Sequence, residues 1–233
     1  MERHVVVTGA NRGIGLALTR RLLDQGHRVF ATARRPEQAR SLHELLKRYP
    51  ERLHVIPLDV RDESQIVRAR DEVRALTDRV DWLINNAGVL YENERIATLP
   101  AENLIHSFQV NAIGPMMMVK HFLPLLERGR QPLICQMTSM MGSIAMASGA
   151  GYYSYRGSKA ALNMLSRVLS FELRPKGIIV LLMHPGWVRT DMGGPAAPLL
   201  PDESAAGILR VLEKATLSDS GRFLTWEGKE LPW

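Results

Sequence analysis

The sequence predicts a three-layer α/β fold, a seven-stranded, mostly parallel sheet with helices on both faces, and three observations lead there. Short apolar runs alternate with amphipathic helical stretches from end to end, which implies right-handed crossovers between parallel strands. The 233 residues, 45% hydrophobic and 23% charged, suit one sizeable core spanning 1–233. The first apolar run opens directly into a glycine-rich turn, "TGANRGIG", and an amphipathic helix.

The elements follow in order. Strands are expected at 4–9 ("HVVVTG"), 28–33, 53–60, 81–88, 132–139 and 178–186, with a weaker one at 221–226 ("GRFLTW"). Helices are expected between them at 14–25, 37–48, 63–79, 101–128, 157–174 and 202–215, where apolar residues recur at three and four. The helix from 157 stops at Pro175 and Gly177. "GGPAAPLLP" (193–201) follows a strand end and reads as a loop, either a lid over a site or a plain connector. No repeat, low-complexity tract or linker marks a second domain.

Composition excludes several classes of function. The net charge is +6 and the pI is near 9.8. The arginines, however, are mixed with Asp and Glu along helical stretches such as "RARDEVRAL", the pattern of a solvated face rather than a nucleic-acid surface. Cys135 is alone in an apolar run, so neither a disulfide framework nor a Cys/His metal site is expected. Met1 leads straight into strand and turn, so no signal peptide is expected. No apolar run reaches the ~18 residues needed to span a bilayer. The expectation is a cytoplasmic protein that binds neither membrane nor nucleic acid.

The glycine turn points to a dinucleotide. Gly9, Gly13 and Gly15 permit a tight turn, and the helix start around Asn11, Arg12 and Ile14 presents amide donors to a pyrophosphate. No Gly-Lys-Ser/Thr follows, which rules out a triphosphate-binding loop. Where a fold selecting the non-phosphorylated cofactor would place an acid, the second strand ends in Arg34 and Arg35. With Arg12 nearby, this corner reads as selecting the 2′-phosphate of NADP(H). Asp59, followed by Val60, closes the third strand where a carboxylate can accept from the adenine amino group.

A second constellation lies in "YYSYRGSKAAL" (152–162). Tyr155 and Lys159 are four apart and share one helix face. An ammonium beside a phenol favours the phenolate and lowers a pKa otherwise near ~10. A phenol so tuned is a usable general acid or base. Tyr152 and Tyr153 are expected to precede the helix, packing in a loop or touching substrate.

Six motifs occur in register: "TGANRGIG" (8–15), "NNAG" (85–88), Asn111 in "FQVNAIGP", Ser139 in "TSMMGS", "YRGSK" (155–159) and "PGWVRT" (185–190). Together they resemble the short-chain dehydrogenase/reductase family, whose fold is Rossmann-type. "GSIAMASGAGYYSYRGSKAALN" and the Trp-ended tail look like its C-factor-like and sniffer-like carbonyl reductase branch. The resemblance implies that Tyr155 donates a proton to a substrate carbonyl, Lys159 lowers its pKa and binds nicotinamide ribose, and Ser139 orients the carbonyl. Asn111, at a break in its helix, would hold a water that returns the proton. Asn86, Ala87 and Gly88 would line the adenosine ribose side, and Pro185, Gly186, Val188 and Thr190 the nicotinamide side. The Ser139–Tyr155 segment is longer than the family norm, which leaves Ser143 as a competitor for the serine role.

The function expected is NADPH-dependent reduction of an uncharged aldehyde or ketone, since no charge occurs between Asp191 and Asp202. An NAD(P)-binding signalling protein of C-factor type is the alternative, and NAD⁺-linked alcohol oxidation, against which Arg34 argues, is a third. The Met-rich stretch 113–126 and the helix from 157 are candidate surfaces for a homodimer or homotetramer.

Overall fold

The computed structural model describes residues 1–233. Its sheet contains β1 (His4–Val7), β2 (Arg28–Ala33), β3 (Leu53–Pro57), β4 (Trp82–Asn85), β5 (Leu133–Met137), β6 (Ile179–His184) and β7 (Phe223–Thr225). The order is β3-β2-β1-β4-β5-β6-β7, and every pairing is parallel. Each strand is a near-continuous apolar run because both faces are covered. In β1, Val5 and Val7 face one helical layer and Val6 the other; in β4, Trp82 and Ile84 oppose Leu83. Cys135 is fully buried in β5, and burial pushes its thiol up to about 12, which leaves it inert.

One layer holds α1 (Gly13–Asp24), α2 (Arg40–Arg48) and α7 (Pro201–Lys214); the other holds α3 (Glu63–Leu76), α5 (Gly114–Leu126) and α6 (Tyr153–Leu173). α4 (Ala101–Phe108) packs on α6. The strand order reverses between β1 and β4, opening a crevice at their carboxyl ends.

Most expected strands and the helix expected at 63–79 end up to three residues early, and three other helices change further. The helix expected at 37–48 is a short turn at Pro36–Gln38 followed by α2. The single helix expected at 101–128 is α4 and α5 joined by a π-helical turn at Gln109–Ile113. The widened turn leaves room for Asn111 to withdraw its side chain onto the main chain of Val89. The helix expected from 157 starts at Tyr153, so Tyr153 lies in its first turn rather than in the loop. Its first turn is polar, and Tyr152 enters it in a left-handed conformation without a side-chain cap, so apolar periodicity carried no trace of it.

Candidate active site

The crevice is a cleft of about 390 Å³ running from the glycine turn, past the ends of β2 and β3, to the start of α6. At its near end the backbone is locked from behind. Thr8 Oγ1 accepts from the main-chain N–H groups of Asn86 and Ala87, both at 3.0 Å, and Asn86 Nδ2 donates to the Thr8 carbonyl at 2.9 Å. Gly15 is required by this knot, because a Cβ there would lie 2.3 Å from the Gly9 carbonyl oxygen. Asn86 therefore braces the turn, in addition to lining the cleft as expected. The N-terminus of α1 has neither a side-chain cap nor an acidic residue in its first turn. Its free N–H groups and positive dipole end suit a phosphate.

Arg34 lines the cleft, is exposed, and has no ion-pair partner. Arg12, expected beside it, instead bridges to Asp191 on the opposite lip at 2.5 Å. Both side chains are mostly exposed, so the bond is weak and exchangeable. Asp59 is shared with Arg61 at 2.6 Å, and that hydrogen-bonded pairing, opposed by partial burial, holds its carboxyl below the usual range.

At the far end Ser139, Tyr155 and Lys159 come together. Gly142 makes this possible: a Cβ there would lie 2.8 Å from the Lys159 main-chain carbon, so only glycine lets the turn after Ser139 press on α6. Ser139 Oγ accepts from Met141 N at 3.1 Å. Burial pushes the Tyr155 phenol up, and the Ser139 hydroxyl beside it pulls the other way. Ser143 is turned away, its Oγ accepting from Met146 N at 3.2 Å, so Ser139 is the serine at the phenol.

Lys159 differs from expectation. Its Nζ donates to the Met137 carbonyl at 2.7 Å and lies 5.7 Å from the Tyr155 ring centroid. Burial brings its own pKa down to about 8. The net shift of the phenol is upward where a lowering was expected, because desolvation dominates. Asn111 is fully buried and does not line the cleft. Its Oδ1 accepts from Val89 N at 2.9 Å, and its Nδ2 donates to the Val89 carbonyl and to Ser158 Oγ at 2.9 and 3.0 Å.

Of the other expected residues, Gly9, Asn11, Gly13, Ile14, Val60, Ala87, Gly88, Pro185 and Thr190 line the cleft. Gly186 and Val188 do not: Gly186 faces Leu199 and Trp226, and Val188 is buried in a bridge to Leu199. Lining residues not anticipated include Val110, Met137, Thr138, Arg189 and Met192. Met137 and Thr138 end the strand before Ser139, a position that could have flagged them. Val110 and Met192 carry no sequence signal.

A cleft of this kind, at the switch point of a doubly wound sheet with a buried phenol at its far end, is the working site of a dinucleotide-dependent oxidoreductase. Residues 3–198 match the family model described as short chain dehydrogenase, and the chain belongs to that family. It is similar to the C-signal of Myxococcus xanthus, 44% identical over 157 residues, which is 67% of this chain and 95% of that one. Among solved structures it is similar to an NADPH-bound carbonyl reductase from chicken fatty liver (39% identical, TM-score 0.94, 99% of both chains). It is also similar to the carbonyl reductase Sniffer of D. melanogaster (33% identical, TM-score 0.96, 100% of both chains). No helix is long and apolar enough to cross a membrane.

Proposed function

We propose that this chain is an NADPH-dependent carbonyl reductase acting on a small uncharged aldehyde or ketone. The observation that carries the reading is the meeting of Tyr155 and Lys159 in the lining at the far end of the cleft that begins at the glycine turn, with the Ser139 hydroxyl beside the phenol just outside that lining. The cradle fits the cofactor: the uncapped start of α1 suits its pyrophosphate, and unpaired Arg34 suits a 2′-phosphate. Asp59 and Val60 would flank the adenine, Ala87 and Gly88 the ribose, and Pro185 and Thr190 the nicotinamide end. The bound cofactor supplies the hydride.

The protein's own work is to hold and move a proton. Burial keeps the Tyr155 phenol protonated at neutral pH, the form a proton donor needs. Ser139 aims a hydroxyl at the carbonyl oxygen as negative charge develops on it. Lys159 would hold the ribose hydroxyls of the bound cofactor. Gly88 sits between Asn111 and Lys159, its would-be Cβ 3.3 Å from Asn111 Oδ1 and 3.8 Å from Lys159 Nζ. Asn111, bonded to Val89 and Ser158, would steady the helix break on the side of Gly88 away from the lysine.

The test is a fluorescence titration with NADPH and NADH, followed by absorbance at the reduced-nicotinamide band against aldehydes, ketones and quinones. NADPH should bind more tightly than NADH and be consumed. Arg34→Asp should weaken NADPH roughly 10- to 100-fold, the range for a lost hydrogen bond to a charged group, and leave NADH affinity unchanged. Failure to bind either cofactor would sink the proposal. A second reading, an NAD(P)-binding signalling protein with little turnover, draws on the likeness to the C-signal. Tight binding without turnover on any carbonyl would favour it.

The proposal includes a homodimer or homotetramer. α6 presents Met164, Leu165, Val168 and Phe171 to solvent, with Phe171 59% exposed, an apolar stripe that a second copy can cover. Sedimentation should give a multiple of the 26.2 kDa chain mass, and Phe171→Asp should shift it toward the monomer. A wild-type monomer at working concentration would overturn this part.

A further inference from the structure

α6 carries the central tyrosine of the site in its first turn, yet nothing local caps that turn. Tyr152, at the N-cap, has φ 56° and makes no side-chain cap. The approach to it contains Gly149 and Gly151, both at positive φ. The first intrahelical bond runs from Arg156 N to the Tyr152 carbonyl at 2.8 Å, which leaves the N–H groups of Tyr153, Ser154 and Tyr155 without helical acceptors. One of them finds a partner 60 residues back in the chain. Glu94, 4% exposed, accepts from Ser154 N through Oε2 at 2.9 Å.

The same carboxylate is held from its other side. Asn103 Nδ2, on α4, donates to Glu94 Oε1 at 3.3 Å, and Arg95 Nη1 donates to the Glu94 carbonyl at 3.0 Å. Arg95 also lies against Gly151, 3.5 Å from the point a Cβ would occupy. The segment that leaves the cleft after Val89 is thus fastened at 94–95 to the start of the helix holding Tyr155. Glu94 does not line the cleft, so it touches neither cofactor nor substrate.

We propose that Glu94 is a positioning residue that caps α6 from a distant loop and sets Tyr155, the next residue after Ser154, against Ser139. A carboxylate is suited to the role, because it accepts strongly from a backbone N–H and complements the positive end of the helix. A local serine or aspartate cap would fix the helix alone. A cap supplied by the 88–95 segment also fixes the helix relative to the cofactor cleft.

The inference rests on the reductase reading, and its test separates the two. Full-length wild type, Glu94→Ala and Glu94→Gln are compared by kcat, NADPH affinity and hydrogen exchange at the Ser154 and Tyr155 amides. Glu94→Ala should lower kcat about 10- to 100-fold, the scale of a small misplacement of a reacting group, with NADPH affinity within about twofold of wild type. Exchange at Ser154 should quicken about tenfold or more as its acceptor is lost. Glu94→Gln keeps an acceptor oxygen and should stay within about threefold of wild type in kcat and exchange. Wild-type kcat and exchange in Glu94→Ala would overturn the proposal. Equal losses in both variants, or NADPH affinity falling in step with kcat, would also overturn it, since general loosening rather than positioning would be at work. If the wild type turns over no carbonyl, the reductase reading fails while exchange still decides the cap. Protection at Ser154 lost in Ala and kept in Gln supports it, and protection unchanged in Ala overturns it.

Discussion

Tyr155→Phe is expected to lower kcat for carbonyl reduction by roughly 10²- to 10⁴-fold, the range for removing a positioned general acid. The phenol is 8% exposed and raised by burial, with the Ser139 hydroxyl beside it, so neither bulk water nor a neighbouring acid can readily replace its proton. Phenylalanine keeps the ring and therefore the packing of the first turn of α6. NADPH affinity should stay within about twofold, because the cradle at Gly13–Gly15 and Arg34 lies at the other end of the cleft. Parallel measurement of kcat and cofactor affinity decides the matter, and residual turnover above a tenth of wild type would remove Tyr155 from its role.

Lys159→Met is expected to cost activity and to gain stability. Burial depresses the ammonium from 10.5 to about 8. The unfolded chain keeps its proton up to about 10.5, so between pH 8 and 10.5 the unfolded state binds more protons and wild-type stability rises with pH. Below pH 8 both states are protonated, and the full cost of burying the charge is present, at most about 3 kcal/mol from the size of the shift. Methionine removes that cost but leaves the Met137 carbonyl without its donor, which offsets about 1 kcal/mol. The variant should be more stable by about 1–2 kcal/mol at pH 7, with the advantage gone by pH 10.5. Its kcat/KM should fall about 100-fold or more and lack the alkaline limb near pH 8 that is expected of the wild type. Denaturant melts from pH 6 to 10.5 check the sign, and a variant less stable at pH 7 than wild type would contradict it.

Both predictions concern residues visible in the sequence, and the cofactor end was equally legible. Glycines at 9, 13 and 15 directly after an apolar run leave few physical readings other than a turn into a helix start. The strands were found because a doubly covered sheet writes continuous apolar runs. Other features were hidden because they depend on contacts between distant segments. The pairing of Arg12 with Asp191 spans 179 residues, and no local pattern distinguishes Arg12 from the unpaired Arg34. The early start of α6 was missed because its first turn is capped by Glu94 and not by anything adjacent.

The sequence by itself determined the α/β class, the placement of the apolar strands, the glycine cradle and the i, i+4 placement of Tyr155 and Lys159. These follow from periodicity and from backbone conformations that only certain residues adopt. Tertiary structure decided which serine meets the phenol, where the lysine points, and which arginine stays free. It also decided what holds the first turn of α6. Each of these is settled by desolvation and by hydrogen bonds between segments tens of residues apart, energies that exist only once the sheet has brought those segments together.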